Sequence, residues 1–212
     1  MPTIPDKLWP NEPAYVLGGG PSLSGFNFEE LRGRNVVGCN EAFTLGPAIC
    51  PVLLFSDIMW FRTRRDALEE YYRAGGVVYT QCQKMKQCDG GLDWVITLKR
   101  FPGGLHTTGV GFGGNSGCSA TNLALLLGAS TVYLLGIDCE GAASGATHWH
   151  PHYGEKRTGP GAFNLFEAGW AKVKQALPEV FPGRSIINLN PDSGLDKFAK
   201  CSWETHGMEV AV

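Results

Sequence analysis

Three glycines followed by Pro-Ser, Gly18-Gly19-Gly20-Pro21-Ser22, stand directly after the short apolar run Ala14 to Leu17. Glycine lets backbone N–H groups come close to an anion, and a helix beginning after the loop would add its positive end. The segment therefore has the chemistry of a phosphate cradle, although the same residues also suit a tight strand-to-helix turn without a ligand. It is not the dinucleotide fingerprint G-x-G-x-x-G, and no Lys-Ser or Lys-Thr follows to make a P-loop. Ser22 lacks a G-x-S-x-G elbow, and no Asp/His order completes a triad, which argues against a serine hydrolase.

A second constellation is HWHPH, in which His148, His150 and His152 alternate. In extended chain alternate side chains point the same way, and a neutral imidazole near pH 7 suits abstraction of a hydroxyl proton. Pro151 interrupts that geometry and no neighbouring acids complete a ligand set, so no metal is expected there. Asp57 and Asp138 each follow an apolar run, where a carboxylate either caps the next turn or meets a ligand.

These residues fall where strands are expected to end. Strands are predicted at Ala14 to Leu17, Asn35 to Cys39, Pro51 to Phe55, Val77 to Thr80, Trp94 to Leu98, Thr131 to Leu135 and Ser185 to Leu189. Helices are predicted over FNFEELRG, with Phe28 and Leu31 on the sheet and Gly33 closing it, over 58–74, from Asn115 or Ser116 to Gly128, and over 162–177. The alternation predicts a single-domain, Rossmann-like, doubly wound α/β fold with a mainly parallel sheet and helices on both faces. Ligands of such sheets bind beyond the carboxyl ends of the strands. Those ends carry Gly18 to Ser22, Asn40, Ser56-Asp57, Gly136-Ile137-Asp138 and Asn190. Residues 81–114 show little periodicity and much glycine, as a lid or insertion would.

The chain has 212 residues, 43% of them hydrophobic, with a formal net charge of −2, so it carries no electrostatic footprint for nucleic acid or a membrane surface. Arg62, Arg64 and Arg65, and Lys84, Lys86, Lys99 and Arg100, read as solvated faces. The N-terminal MPTIPDKLWPNEP lacks an apolar signal region, and no apolar stretch is long enough to cross a bilayer. Seven cysteines without C-x-x-C spacing read as reduced, mostly buried thiols, in keeping with a cytoplasmic protein.

The order of the blocks YVLGGGPSL, VVGCNEAF, NSGCSATNLALLLGASTVYLLGID, HWHPH and INLNPDSGL resembles the bacterial family of α-2,3- and α-2,8-sialyltransferases, over about residues 14 to 198. The same skeleton occurs in relatives encoded by bacteriophages and, more distantly, in archaeal 6-hydroxymethylpterin diphosphokinase. The resemblance implies that Gly18, Gly20, Ser22 and Asn40 meet a nucleotide, and the strand-end positions add Gly19, Pro21 and Ser56 to that set. It implies the same of Asn115-Ser116-Gly117, which match the family's T-S-G block, and of Gly136-Ile137-Asp138, which match its G-I-D. His152 falls at the family's catalytic base, with His150 and Asp57 as further catalytic candidates. Cys139-Glu140 stand where the family has an aromatic pair, Gly111 to Gly114 near the place of an arginine, and Ser56-Asp57 in place of an asparagine.

The reading implied is a glycosyltransferase-like enzyme with a nucleotide-sugar donor as co-substrate and no tightly bound cofactor. The acceptor would be a glycan, a small metabolite or a modified DNA base, and a homo-oligomer is allowed. The alternatives are a Mg²⁺-dependent diphosphokinase using Asp57 and Asp138, and a non-catalytic nucleotide-binding phage protein.

Overall fold

The computed structural model describes residues 7–87, 92–152 and 159–206. Strands β1 (Ala14–Leu17), β2 (Val36–Cys39), β3 (Val52–Phe55), β4 (Val77–Thr80) and β5 (Val95–Thr97) run outward from the sheet centre on one side. Strands β8 (Thr131–Leu135), β9 (Ser185–Asn188) and β10 (Ala199–Lys200) run outward on the other, giving the order β10-β9-β8-β1-β2-β3-β4-β5. Every pairing in this eight-stranded sheet is parallel. A second, two-stranded parallel sheet joins β6 (Arg100–Phe101) to β7 (Val110–Gly111).

Parallel strands are buried on both faces, and β1, β2 and β3 are buried at every position. Alternation along them serves two cores. Ala14 and Val16 of β1 join the cluster that includes helix α2 (Ser116–Leu126) and Trp170 of helix α3 (Pro160–Val180). Tyr15 and Leu17 join the opposite cluster, which holds Phe61, Leu68 and Tyr71 of helix α1 (Ile58–Arg73). The fold is therefore the α/β doubly wound one expected.

Helix α2 has no polar face because it is covered on all sides; only Ser116 of its residues is not fully buried. Two of its buried polar side chains, Ser119 and Asn122, bond to the chain around β7. Asn122 accepts from the His106 and Gly111 amides at 2.9 and 3.0 Å and donates to the His106 carbonyl at 2.9 Å, and Ser119 donates to the Gly111 carbonyl at 2.9 Å. The loop before β7 is thus moored to the helix.

Differences from the sequence reading concern edges and length. Over FNFEELRG only a 3-10 turn forms, at Phe28–Leu31, and the Phe28 ring lies against Trp149 at 4.8 Å, while Leu31 is fully buried as expected. Helix α3 is longer at both ends than 162–177, starting at Pro160, a residue suited to the first helical position, and running through Pro178 to Val180. β6, β7 and β10 were not anticipated; two residues are too short to show a period. The 81–114 segment is less irregular than its composition suggests, since β5, β6 and β7 lie in it, although 88–91 are outside the described residues.

Trp170 is 1% exposed and joins α3 to the core beneath α2. Trp170→Ala is expected to cost about 3–5 kcal/mol, read as a lower denaturation midpoint with unchanged slope.

Candidate functional site

Chain order reverses at the β1/β8 pair, since β2 to β5 follow on one side and β9 and β10 on the other. Splayed loops at such a switch point leave a crevice. Here it is a cavity of about 740 Å³.

Its floor is the paired loops after β1 and β8. The Gly18 N–H donates to the Leu135 carbonyl and the Gly20 N–H to the Gly136 carbonyl, both at 2.8 Å. Those two amides therefore serve the strand-end junction, and the anion cradle expected of them is not formed. A Cβ on Gly18 would lie 2.4 Å from the Gly136 oxygen, and one on Gly20 would lie 2.4 Å from Asp138 Oδ2. These glycines are required for close approach of the two loops. Gly19 differs, because a Cβ there would point toward His148 and His150.

The helix expected after the loop is a three-residue 3-10 turn, Pro21–Leu23. Within it Ser22 donates its N–H to Asp138 Oδ2 at 2.8 Å and its hydroxyl to Asp138 Oδ1 at 2.6 Å. Asn190 Nδ2, after β9, donates to the same Oδ1 at 2.9 Å. Ser22 and Pro21 are absent from the cavity lining, whereas Gly18, Gly19, Gly20, Gly136, Ile137 and Asp138 belong to it.

The histidine segment is fastened to this floor by Trp149, whose backbone N–H donates to the Gly19 carbonyl and whose indole N–H donates to the Gly18 carbonyl, each at 3.1 Å. With Trp149 turned to the loop, His148 and His150 line the cavity, and the ring centroids of His148, His150 and His152 follow one another at 5.4 and 5.5 Å. The alternation expected of HWHPH is present, but His152 is exposed and outside the lining. Burial lowers the pKa of His148. Burial, followed by the charges of His148, His152 and Arg64, pushes His150 down to about 4. His148 Nδ1 is 3.0 Å from the Thr147 hydroxyl, which also lines the cavity.

The other walls come from the ends of β2, β3 and β4 and the start of α2. Asn40 follows β2 with φ of 50°, and Cys139 follows β8 with φ of 56°, two non-glycine residues in the left-handed region at one cavity. Ser56 Oγ lies 3.3 Å from Ser116 Oγ and accepts from Gln81 Nε2 at 2.9 Å, joining β3, β4 and α2. Asn115 is the N-cap of α2, accepting from the Cys118 N–H at 2.9 Å, and Ser116 and Gly117 line the cavity at that helix start. Asp57 caps α1 by accepting from the Met59 and Trp60 amides at 2.6 and 3.1 Å. Asp57 and Asp138, the carboxylates a Mg²⁺ site would use, thus both accept from protein donors. Among the described residues no set of three or more His, Cys, Asp and Glu stands together as a metal site. Cys39 and Cys139 line the cavity, but burial raises both thiols, Cys139 to about 12, which keeps them from acting as thiolate nucleophiles.

Several lining residues escaped the sequence reading. Lys84 and Arg100, read as part of a solvated face, belong to the cavity, as do Phe112 and Thr147. Phe163, Phe166 and Trp170 of α3 complete an aromatic wall. Their spacing of i, i+3 and i+7 is one helical stripe and was the signal available.

Solved structures of a bacterial sialyltransferase superpose on this architecture. CstII from Campylobacter jejuni in complex with the substrate analogue CMP-3FNeuAc matches 90% of this chain and 86% of its own, with a TM-score of 0.51 and 13% identity. CstII with cytidine-5'-monophosphate matches 91% and 86% at a TM-score of 0.52 and 14% identity. A Cst-II variant in complex with CMP matches 90% and 86% at 0.52 and 12%. The chain shares their fold. No protein-family model matches it, and no curated protein matches it in sequence.

Two outcomes are expected. Gly20→Ala forces its methyl onto the Asp138 carboxylate and should cost about 1–3 kcal/mol in chemical denaturation, whereas Gly19→Ala, whose nearest neighbour would be His148 at 3.2 Å, should cost less. The second concerns pH. The unfolded chain binds a proton at His150 near its ordinary value of 6.5, and the folded chain refuses it until about 4. Stability is therefore lost as pH falls through that window, and His150→Gln should flatten the decline in Tm between pH 7 and 4.5.

Proposed function

We propose that this chain is a glycosyltransferase-like enzyme that moves a sugar from a nucleotide-activated donor to an acceptor hydroxyl. The observation that carries the proposal is the cavity at the β1/β8 switch point, with His148 and His150 facing the glycine loop. The proteins that share this fold were captured with CMP and with CMP-3FNeuAc.

In this reading the nucleotide lies along Gly19, Asn40 and Gly136 to Asp138, and its phosphate lies toward Ser116 and Gly117 at the start of α2. Fixing donor and acceptor in one walled crevice supplies the positioning, and the helix start opposes the charge that develops on the departing phosphate. One imidazole takes the proton of the acceptor hydroxyl. The resemblance implies His152, but geometry favours His148. His148 is half-buried in the cavity wall, His150 is held at about 4 and is a weak base near neutrality, and His152 is exposed outside the lining. Asp57, as the cap of α1, acts on the donor by its charge alone, which disfavours an anionic sugar.

A thermal-shift screen of nucleotides and nucleotide sugars, with and without Mg²⁺, tests the binding half. A cytidine nucleotide at about 100 times its Kd should stabilise the fold by roughly 2.7 kcal/mol without metal. Response only with ATP and Mg²⁺ would favour the diphosphokinase, and response to no nucleotide would end the proposal. Donor turnover in His148→Ala should fall about 100-fold or more, and in His152→Ala by much less. The reverse ranking would return the base to His152.

A further inference from the structure

Lys84 and Arg100 both line the cavity, yet among the described residues neither forms a salt bridge. Both come from the 81–114 segment, whose parts are joined by local bonds. Lys84 lies in the 3-10 turn Gln83–Gln87 after β4. Gln83 Nε2 donates to the Gln81 and Leu98 carbonyls at 3.2 and 3.0 Å, joining that turn to the chain that leads into β6. In β6 successive side chains take opposite faces. Lys99 Nζ lies over the Phe101 ring at 4.7 Å, while the Arg100 guanidinium stacks over Phe112 of the cavity wall at 4.0 Å. Phe112 in turn is three residues before the cap of α2, and its N–H donates to the Phe101 carbonyl at 2.9 Å.

Two cations that line one cavity and form no salt bridge among the described residues are available to an anion. Three carboxylates share the lining, Asp57, Asp138 and Glu140, and none of them pairs with Lys84 or Arg100. Asp57 accepts from the α1 amides, Asp138 is surrounded by Ser22 and Asn190, and Glu140 is exposed beyond β8. The amides of Gly18 and Gly20, which the sequence offers for the same task, are already bonded to β8 and its loop.

We propose that Lys84 and Arg100 form the phosphate-binding side of this cavity, holding the phosphate ester of the nucleotide opposite the start of α2. This rests on the nucleotide reading above. The glycine loop then shapes the floor, and the charge that recognises phosphate comes from the segment between β4 and β7.

Calorimetric titration of CMP, cytidine and inorganic pyrophosphate into the wild type, Lys84→Met, Arg100→Met and Lys99→Met separates the two ideas. Loss of one charge-assisted contact should weaken CMP at least about tenfold in the first two variants and leave cytidine unchanged, with Lys99→Met like the wild type. Wild-type CMP affinity in both variants overturns the phosphate site while leaving nucleotide binding intact, and so does an equal loss of cytidine and CMP. Pyrophosphate needs no base recognition. Binding of pyrophosphate but not CMP, weakened in Lys84→Met and Arg100→Met, supports the site and removes the nucleotide reading. A wild type that binds neither CMP nor pyrophosphate overturns both.

Discussion

The Asp138 carboxylate, 4% exposed, holds together the loops that follow β1, β8 and β9. It accepts from the Ser22 amide and hydroxyl and from Asn190, while its own carbonyl accepts from the Gly194 N–H and the Ser193 hydroxyl. A buried carboxylate is tolerated only when donors replace its lost water, and here three donors do so from two different loops. Because the lone pairs are directional, the loops have one mutual arrangement in which all are satisfied. Gly20 must be glycine for Ser22 to reach the carboxylate, and the cavity floor follows from that constraint.

A second buried carboxylate performs a comparable task just outside the cavity, in the turn after β2. Glu41, 1% exposed, accepts from the Trp60 indole at 2.8 Å and from Arg64 Nε at 3.1 Å. Arg64 reaches on to the His152 carbonyl at 3.5 Å. Helix α1 is thereby joined to the turn after β2 and to the histidine segment, which Trp149 fastens from its other side. The imidazoles are placed by bonds to backbone and by burial, and the same burial depresses the basicity of His148 and His150. Arg64, which looks like part of a solvated run in the chain, is one of the structural connections around the site.

Much of the fold was legible in the chain itself. Runs such as AYVL, VLLF and TVYLL are apolar throughout because parallel strands are covered on both faces, and each stops at a glycine or polar residue where the sheet ends. The small, apolar SGCSATNLALL could only be a helix covered on every side. Strand ends then pointed to one edge of the sheet, and Gly18 to Gly20, Asn40, Ser56, Ser116 and Gly136 to Asp138 do meet there. Local pattern suffices for these, since period and termination are properties of neighbouring residues.

Direction and partnership are different in kind. Whether the Gly18 and Gly20 amides face a ligand or the carbonyls of β8 depends on a strand more than a hundred residues away in sequence, and no local pattern encodes it. Nor can spacing distinguish Asp57 as a helix cap from Asp57 as a ligand, or tell that Lys84 and Arg100 enter the cavity while Lys99 lies over Phe101. The chain alone determined the central strands of the sheet, the edge at which chemistry would occur and many of the residues gathered there. Only tertiary structure decided which of those groups have their hydrogen bonds and charges already answered by the protein, because that depends on contacts between segments distant in the sequence.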